Sequence, residues 1–150
     1  MTTIPVLISI LSNAHREEAV EDETMTMLTA GEMDLTDTTA VIRYEESIDE
    51  GMPPQKVEVT IADECLTMTR GGAYQTQMVF RIGCRYEGMY RTPFGEMELA
   101  VYCTKLNYDL GDDGGALELS YQLDINGKFA AMHDMELNLF KQGEGNASEK

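Results

Sequence analysis

Apolar and polar residues alternate along much of the chain with a period of two, which is the pattern of β-strands that bury one face. In residues 117–125 the odd positions are apolar and the even positions are polar. Residues 56–62 and 128–140 repeat this alternation, with His133 on the apolar row of the later segment. Helical spacing of apolar residues does not persist over any window of about a dozen residues. The pattern therefore predicts strands and turns rather than helices.

Ten strands are predicted, joined by short connections rich in glycine, proline, asparagine and aspartate. Their predicted ranges are 4–13, 19–31, 38–46, 56–62, 65–69, 73–82, 85–92, 96–109, 116–124 and 128–140. A long meander of this kind removes its exposed edges by pairing its first and last strands. We therefore predict an all-β fold, an antiparallel up-and-down β-barrel, although a two-sheet sandwich would show the same alternation. Residues 1–140 are predicted to form this single domain, followed by a flexible C-terminal tail at 141–150.

The turn at Asn126-Gly127 tests how the last two strands align. A two-residue turn there would pair Leu123 with residue 130 and set the apolar row of one strand on the polar side of the next. A three-residue loop with Gly127 in the left-handed region would instead pair Leu123 with Phe129 and direct His133 towards the core. The sequence therefore predicts the three-residue loop.

The charge balance limits the kind of partner. The 150 residues contain 11 Lys and Arg against 27 Asp and Glu, which gives a net charge of -16. Such a chain repels phosphate backbones and anionic lipid headgroups, so neither nucleic acid nor a membrane surface is predicted as a partner. The acidic clusters at 17–23 and 45–50 have two interpretations, a solvated face or a docking patch for a basic partner.

Cysteine usage points to a reducing compartment. Cys65, Cys84 and Cys103 are an odd number without a C-x-x-C pair, and each lies in a strand-like run, so we expect buried free thiols. The N-terminal residues show no basic leader and no apolar stretch long enough to cross a bilayer. These features predict a cytoplasmic protein.

Three segments resemble a known family. They are Leu-Thr-Met-Thr-Arg-Gly-Gly at 66–72, Tyr-Arg-Thr-Pro-Phe-Gly-Glu at 90–96 and Leu-Ser-Tyr-Gln-Leu-Asp-Ile-Asn-Gly at 119–127. With them the chain resembles the YwiB-like family of small bacterial β-barrel proteins, most specifically in Thr-Pro-Phe-Gly and over roughly residues 57–140. The resemblance implies a lipocalin-like, or calycin-like, barrel. It brings no established activity and no catalytic residue.

The residues themselves offer little support for catalysis. His15 and His133 are the two histidines, and a Cys-His pair formed by the fold stays open as an alternative. Zinc needs several Cys and His ligands at short spacing, and the acidic turn at 109–114 lacks the alternate acids of a calcium loop. We therefore predict a protein that is not an enzyme, with no metal and no cofactor.

A ligand site in the barrel is the first functional hypothesis, and it rests on analogy of fold. The candidate lining residues are Arg70, Met68, Met78, Phe80 and His133. Each also has a purely structural interpretation: methionine fills cores, a histidine on an apolar row is commonly a core residue, and an arginine can be solvated or salt-bridged. The ligand would be small and apolar or amphipathic, with an anionic end near Arg70. The alternative is a filled barrel that acts as a protein–protein interaction module through its outer face or acidic loops.

Overall fold

The computed structural model describes residues 2–16, 23–47 and 51–142. It contains ten antiparallel strands in this part of the chain. They are β1 Thr2–His15, β2 Glu23–Leu35, β3 Thr39–Glu46, β4 Gln55–Ala62, β5 Cys65–Gly71, β6 Gln75–Phe80, β7 Arg85–Thr92, β8 Gly95–Gly111, β9 Gly114–Ile125 and β10 Lys128–Lys141. All ten predicted strands are present, although β2 lies about four residues later than expected. Most of the predicted tail, from 143 onwards, lies outside the described residues.

The strands form a closed barrel in which each pairs with its neighbours in sequence, and β1 pairs with β10 to close it. This confirms the up-and-down barrel and removes the sandwich alternative. The described residues contain no helix that is long and apolar enough to cross a membrane.

The two ends of the barrel differ in how they are filled. At one end, called the packed end, lie the turns after β2, β4, β6 and β8. Its inward rows are fully buried and include Val6, Met33, Ile42, Leu66 and Phe80. At the other end, called the open end, lie the connections after β1, β3, β5, β7 and β9. The apolar core therefore fills the half of the barrel at the packed end. Towards the open end, the inward rows include polar residues and surround a cavity.

The turn between β9 and β10 corrects one prediction. Lys128 pairs with Ile125, so the connection is the two-residue turn Asn126-Gly127, whose φ angles of 51° and 81° are both positive. This is the type I′ geometry that Asn-Gly favours. The predicted three-residue loop with Leu123 opposite Phe129 is therefore wrong. Phe129 lies opposite Asp124, and Leu123 lies opposite Ala131, because Ala130 is an extra residue that shifts the register. The extra residue restores the alignment of the two apolar rows; the left-handed Gly127 and the inward direction of His133 are confirmed.

The three cysteines are free but do not share one environment. Cys103 is buried, Cys65 is half-buried and Cys84 is exposed, so the expectation of three buried thiols is wrong. Cys84 lies in the connection between β6 and β7 and not in a strand, so it has no place on an inward row.

Neighbouring strands are not paired along their whole length at two places in the wall. β2 pairs with β3 only from Gly31 to Leu35, and β6 pairs with β7 only at Gln75 and Thr76. At both places the strands diverge, which opens the wall on its outer side.

Candidate functional site

A cavity of about 570 Å³ occupies the open end of the barrel. Its apolar lining comes from inward side chains on several strands, among them Met25, Met27, Met78, Leu123 and Met135. A volume of this size falls in the range of small-molecule sites, and the unbranched methionines can adapt to different shapes. The interior is therefore filled at the packed end and hollow at the open end.

Polar side chains line one side of the cavity because several inward rows end in a polar residue. Glu46 follows Tyr44 on β3, Gln55 precedes Val57 on β4, and Arg70 follows Met68 on β5. Thr76 takes the equivalent place on β6, where it pairs with Arg70. Side chains two apart on a strand share a face, so these four polar groups point into the same space as the core.

An ion pair between Arg70 and Glu46 crosses β4 at this side of the cavity. Arg70 Nε donates to Glu46 Oε1 at 3.0 Å, and the two side chains are only 19% and 18% exposed. Burial lowers the pKa of Arg70, but the charge of Glu46, together with Tyr44 and Tyr121, raises it by more. The net shift is upwards, so the guanidinium stays charged. Nε makes the only hydrogen bond of this side chain to another described residue. Its terminal nitrogens can therefore serve an acceptor in the cavity.

Gln55 ties the connection after β5 to the wall. Its side-chain oxygen accepts a hydrogen bond of 2.6 Å from the backbone N–H of Tyr74, and the residue is 2% exposed. The ring of Tyr74 lies 6.2 Å from that of Tyr90, centroid to centroid. Both tyrosines line the cavity, so this bond holds part of its mouth in place.

The side-chain hydroxyl of Thr76 is a buried polar group at the cavity. Its Oγ1 is buried and has no hydrogen-bond partner in the described part of the chain. A buried hydroxyl without a partner costs about 1–3 kcal/mol. Since Thr76 lines the cavity beside Arg70, a polar group of a bound molecule is one way to satisfy it.

Aromatic rings form the base of the cavity. Tyr121 stacks on His133 with centroids 5.0 Å apart, and Phe80 lies under Tyr121 at 4.7 Å. Burial lowers the pKa of His133, and the positive charges of Arg16 and Arg70 lower it further. The imidazole therefore favours its neutral form at neutral pH, in which one ring nitrogen donates a hydrogen bond and the other accepts one.

The structure brings three of the five predicted site residues together. Arg70, Met78 and His133 line the cavity, and Arg70 is salt-bridged to Glu46 rather than solvated. Met68 and Phe80 lie nearer the packed end, at 1% and 0% exposure, and are not lining residues. They belong to the core beneath the cavity.

Glu46, Gln55 and Thr76 also line the cavity but were not among the predicted site residues. The available signal was the alternation itself: extending the inward rows of β3, β4 and β6 by one step towards the open end reaches each of them. No three Cys, His, Asp or Glu side chains of the described residues approach closely enough to hold a metal ion.

Comparison with known proteins gives the family. Residues 8–137 match the domain of unknown function DUF1934. The uncharacterized β-barrel protein YwiB of Bacillus subtilis (strain 168) is 25% identical over 127 residues, which cover 82% of this chain and 88% of YwiB. The crystal structure of the ywiB protein from Bacillus subtilis superimposes with a TM-score of 0.83 over 94% of each chain, at 20% identity. The chain therefore belongs to the DUF1934 family, a group of YwiB-like β-barrel proteins.

Proposed function

We propose that this protein binds a small amphipathic molecule in the cavity at the open end of the barrel, without catalysing a reaction on it. The observation that carries the proposal is the hollow half of the barrel, about 570 Å³ in volume, with an apolar lining and one polar side. Burial of an apolar ligand surface in it would contribute about 25 cal/mol for each Å² removed from water.

The polar side supports a ligand with an anionic end. Arg70 keeps its terminal nitrogens free of other described residues, and the Thr76 hydroxyl has no partner. A carboxylate placed there could accept two parallel hydrogen bonds from the guanidinium. Glu46 opposes this arrangement, because its carboxylate already occupies Nε. The net charge of -16 also slows the approach of an anion, so local hydrogen bonds must outweigh the overall field.

The test measures thermal unfolding of the full chain with decanoate and with decan-1-ol as its neutral analogue. Binding at 100 times Kd should stabilise the protein by about 2.7 kcal/mol, which is a rise in Tm of about 5–10 °C for a chain of this length. We expect decanoate to stabilise more than the alcohol does.

Two variants separate the contributions of the ion pair. Arg70→Met should abolish the preference for the acid, whereas Glu46→Gln should increase it, because the whole guanidinium becomes available. The matched control is Arg91→Met, since Arg91 makes an exposed ion pair with Glu96 at 3.1 Å outside the cavity. If neither compound raises Tm, or if Arg70→Met keeps the preference for decanoate, the proposed function is wrong.

A further inference from the structure

The outer side of β2 presents an unpaired strand edge. Residues 24–30 pair with β1 on one side, but the pairing with β3 begins only at Gly31. No described strand covers the other side of this segment, which we call the free edge. Alternate residues of a strand direct both backbone groups to the same side. About half of the residues in the free edge therefore present N–H and C=O groups that no strand takes up.

The free edge lacks the features that usually protect such a strand. Its sequence, Thr-Met-Thr-Met-Leu-Thr-Ala, contains no charge and no proline, and its pairing with β1 runs without a bulge. Leu28 is 66% exposed on the outer face, and Leu11 on β1 is 39% exposed beside it. Natural edge strands generally carry lysine, proline or a bulge where pairing must be prevented. An uncharged edge with exposed leucines is instead typical of strand addition.

A groove lined by charged side chains lies next to the free edge and includes Thr29 and Ala30 in its lining. This groove, about 720 Å³ in volume, lies on the outer wall where β2 and β3 diverge. Its acids are Glu32, Glu45 and Glu58, and its bases are Arg43 and Lys56. Arg43 is already held by Asp34 at 2.6 Å. The groove therefore has an excess of negative charge, in a chain whose net charge is -16.

We propose that the free edge binds an extended segment of a partner protein, with an uncharged β-forming core flanked by basic residues. The core adds to β2 as a further strand, and the flanking bases face Glu32 and Glu45. A second copy of this chain fits less well. Glu23, paired with Arg16 at 2.7 Å, and Glu32 flank the free edge at its two ends, so a second copy would bring no excess of positive charge to the acidic groove.

The test uses a fluorescein-labelled peptide with a core of alternating valine and threonine and two lysines at each end. Its binding to the full chain is followed by fluorescence anisotropy. One control peptide replaces the lysines by glutamates, and another carries N-methyl groups at alternate core positions, which block strand pairing. We expect the lysine peptide to bind, and each control to bind at least about tenfold more weakly.

Variants locate the binding surface. Replacing both Glu32 and Glu45 by lysine should weaken the lysine peptide severalfold and strengthen the glutamate peptide. The matched control replaces Glu98 on β8 and Glu136 on β10, both exposed and away from the groove, which changes the net charge equally. Leu28→Ser should also weaken binding, whereas Ile82→Ser, which alters another exposed apolar residue, should not.

Three results would overturn the proposal. They are absence of binding by the lysine peptide, equal binding of the N-methylated peptide, and a dimer of the full chain that Leu28→Ser dissociates. The last result would assign the free edge to a second copy. The peptide comparisons use the unaltered protein, so they decide the matter even if a variant fails to fold. Met25 and Met27 of the free edge direct their side chains into the cavity, whereas the partner segment would pair with the backbone of the free edge, so this proposal and the ligand proposal can fail separately.

Discussion

His133 lies directly opposite Tyr121 across the β9–β10 pair, and their rings are parallel to within 5°. The imidazole is thus held between an aromatic face and the cavity, close enough to Arg70 for that charge to lower its pKa. Protonation of His133 would put a second positive charge beside Arg70 in a poorly hydrated space.

This relationship predicts a pH dependence of stability. Because the pKa of His133 is lower in the folded protein than its ordinary 6.5, the unfolded chain takes up the proton first as the pH falls. The stability contributed by neutral His133 is complete above pH 6.5 and is lost as the pH falls through the folded pKa. His133→Phe keeps the ring stacking and removes the titration, although Asp134, Glu23 and Arg16 remain nearby. Urea unfolding at a series of pH values below 6.5 should show that the free energy of unfolding falls less steeply with pH for the variant than for the unaltered protein. Parallel plots of this free energy against pH would contradict the prediction.

Thr76→Val should stabilise the protein without ligand by up to about 1 kcal/mol. The substitution keeps the shape of the side chain and removes a buried hydroxyl that has no partner among the described residues. Thr67→Val, on the half-buried outer face of β5, is the matched control and should change the free energy of unfolding less. Denaturant titrations measure both. A destabilised Thr76→Val would mean that the hydroxyl is satisfied in solution.

Gly31→Ala should destabilise the barrel by about 1–3 kcal/mol. A Cβ atom at this position would lie 2.3 Å from the backbone oxygen of Arg43 and 2.9 Å from Ile8 Cδ1. Gly31 is also the first β2 residue paired with β3, at the point where the two strands diverge, so the clash would widen that divergence. Gly71→Ala is the control, because a Cβ there meets nothing within 4 Å. Similar free energies of unfolding for the two variants would refute this account.

Deletion of Ala130 should leave a folded barrel. Ala130 is the extra residue of the bulge, so its removal keeps Phe129 opposite Asp124 and Ala131 opposite Leu123. Deletion of Thr60 from β4, whose pairings with β3 and β5 contain no bulge, should instead turn part of the inward row of β4 outwards and prevent cooperative folding. Circular dichroism and thermal unfolding distinguish the two chains. Equal damage from both deletions would show that the bulge has a role beyond setting the register.

The alternation of residue types was sufficient to predict the ten strands, because a buried face must repeat every two residues. It did not distinguish a barrel from a sandwich, and the closed barrel was predicted because closure removes exposed strand edges. The alternation also did not predict the ends of the inward rows. Glu46 and Arg70 look like surface charges when each is taken alone, and their pairing depends on the register across β4. The bulge at Ala130 was missed for a related reason: periodicity detects a row, but not an extra residue that lets two rows realign.

The way the barrel closes has a consequence for how it forms. Every strand pair except one joins neighbours in sequence, so those pairings need only short loops to be closed. The exception is the pairing of β1 with β10, which brings Val6 beside Lys141. These two residues are separated by most of the chain, so their pairing closes a very long loop. Closing so long a loop carries the largest entropy cost of the fold and is expected to limit the folding rate. Contacts such as Ile8 with Leu139 therefore form in this slow step, and weakening them should slow folding as well as hasten unfolding.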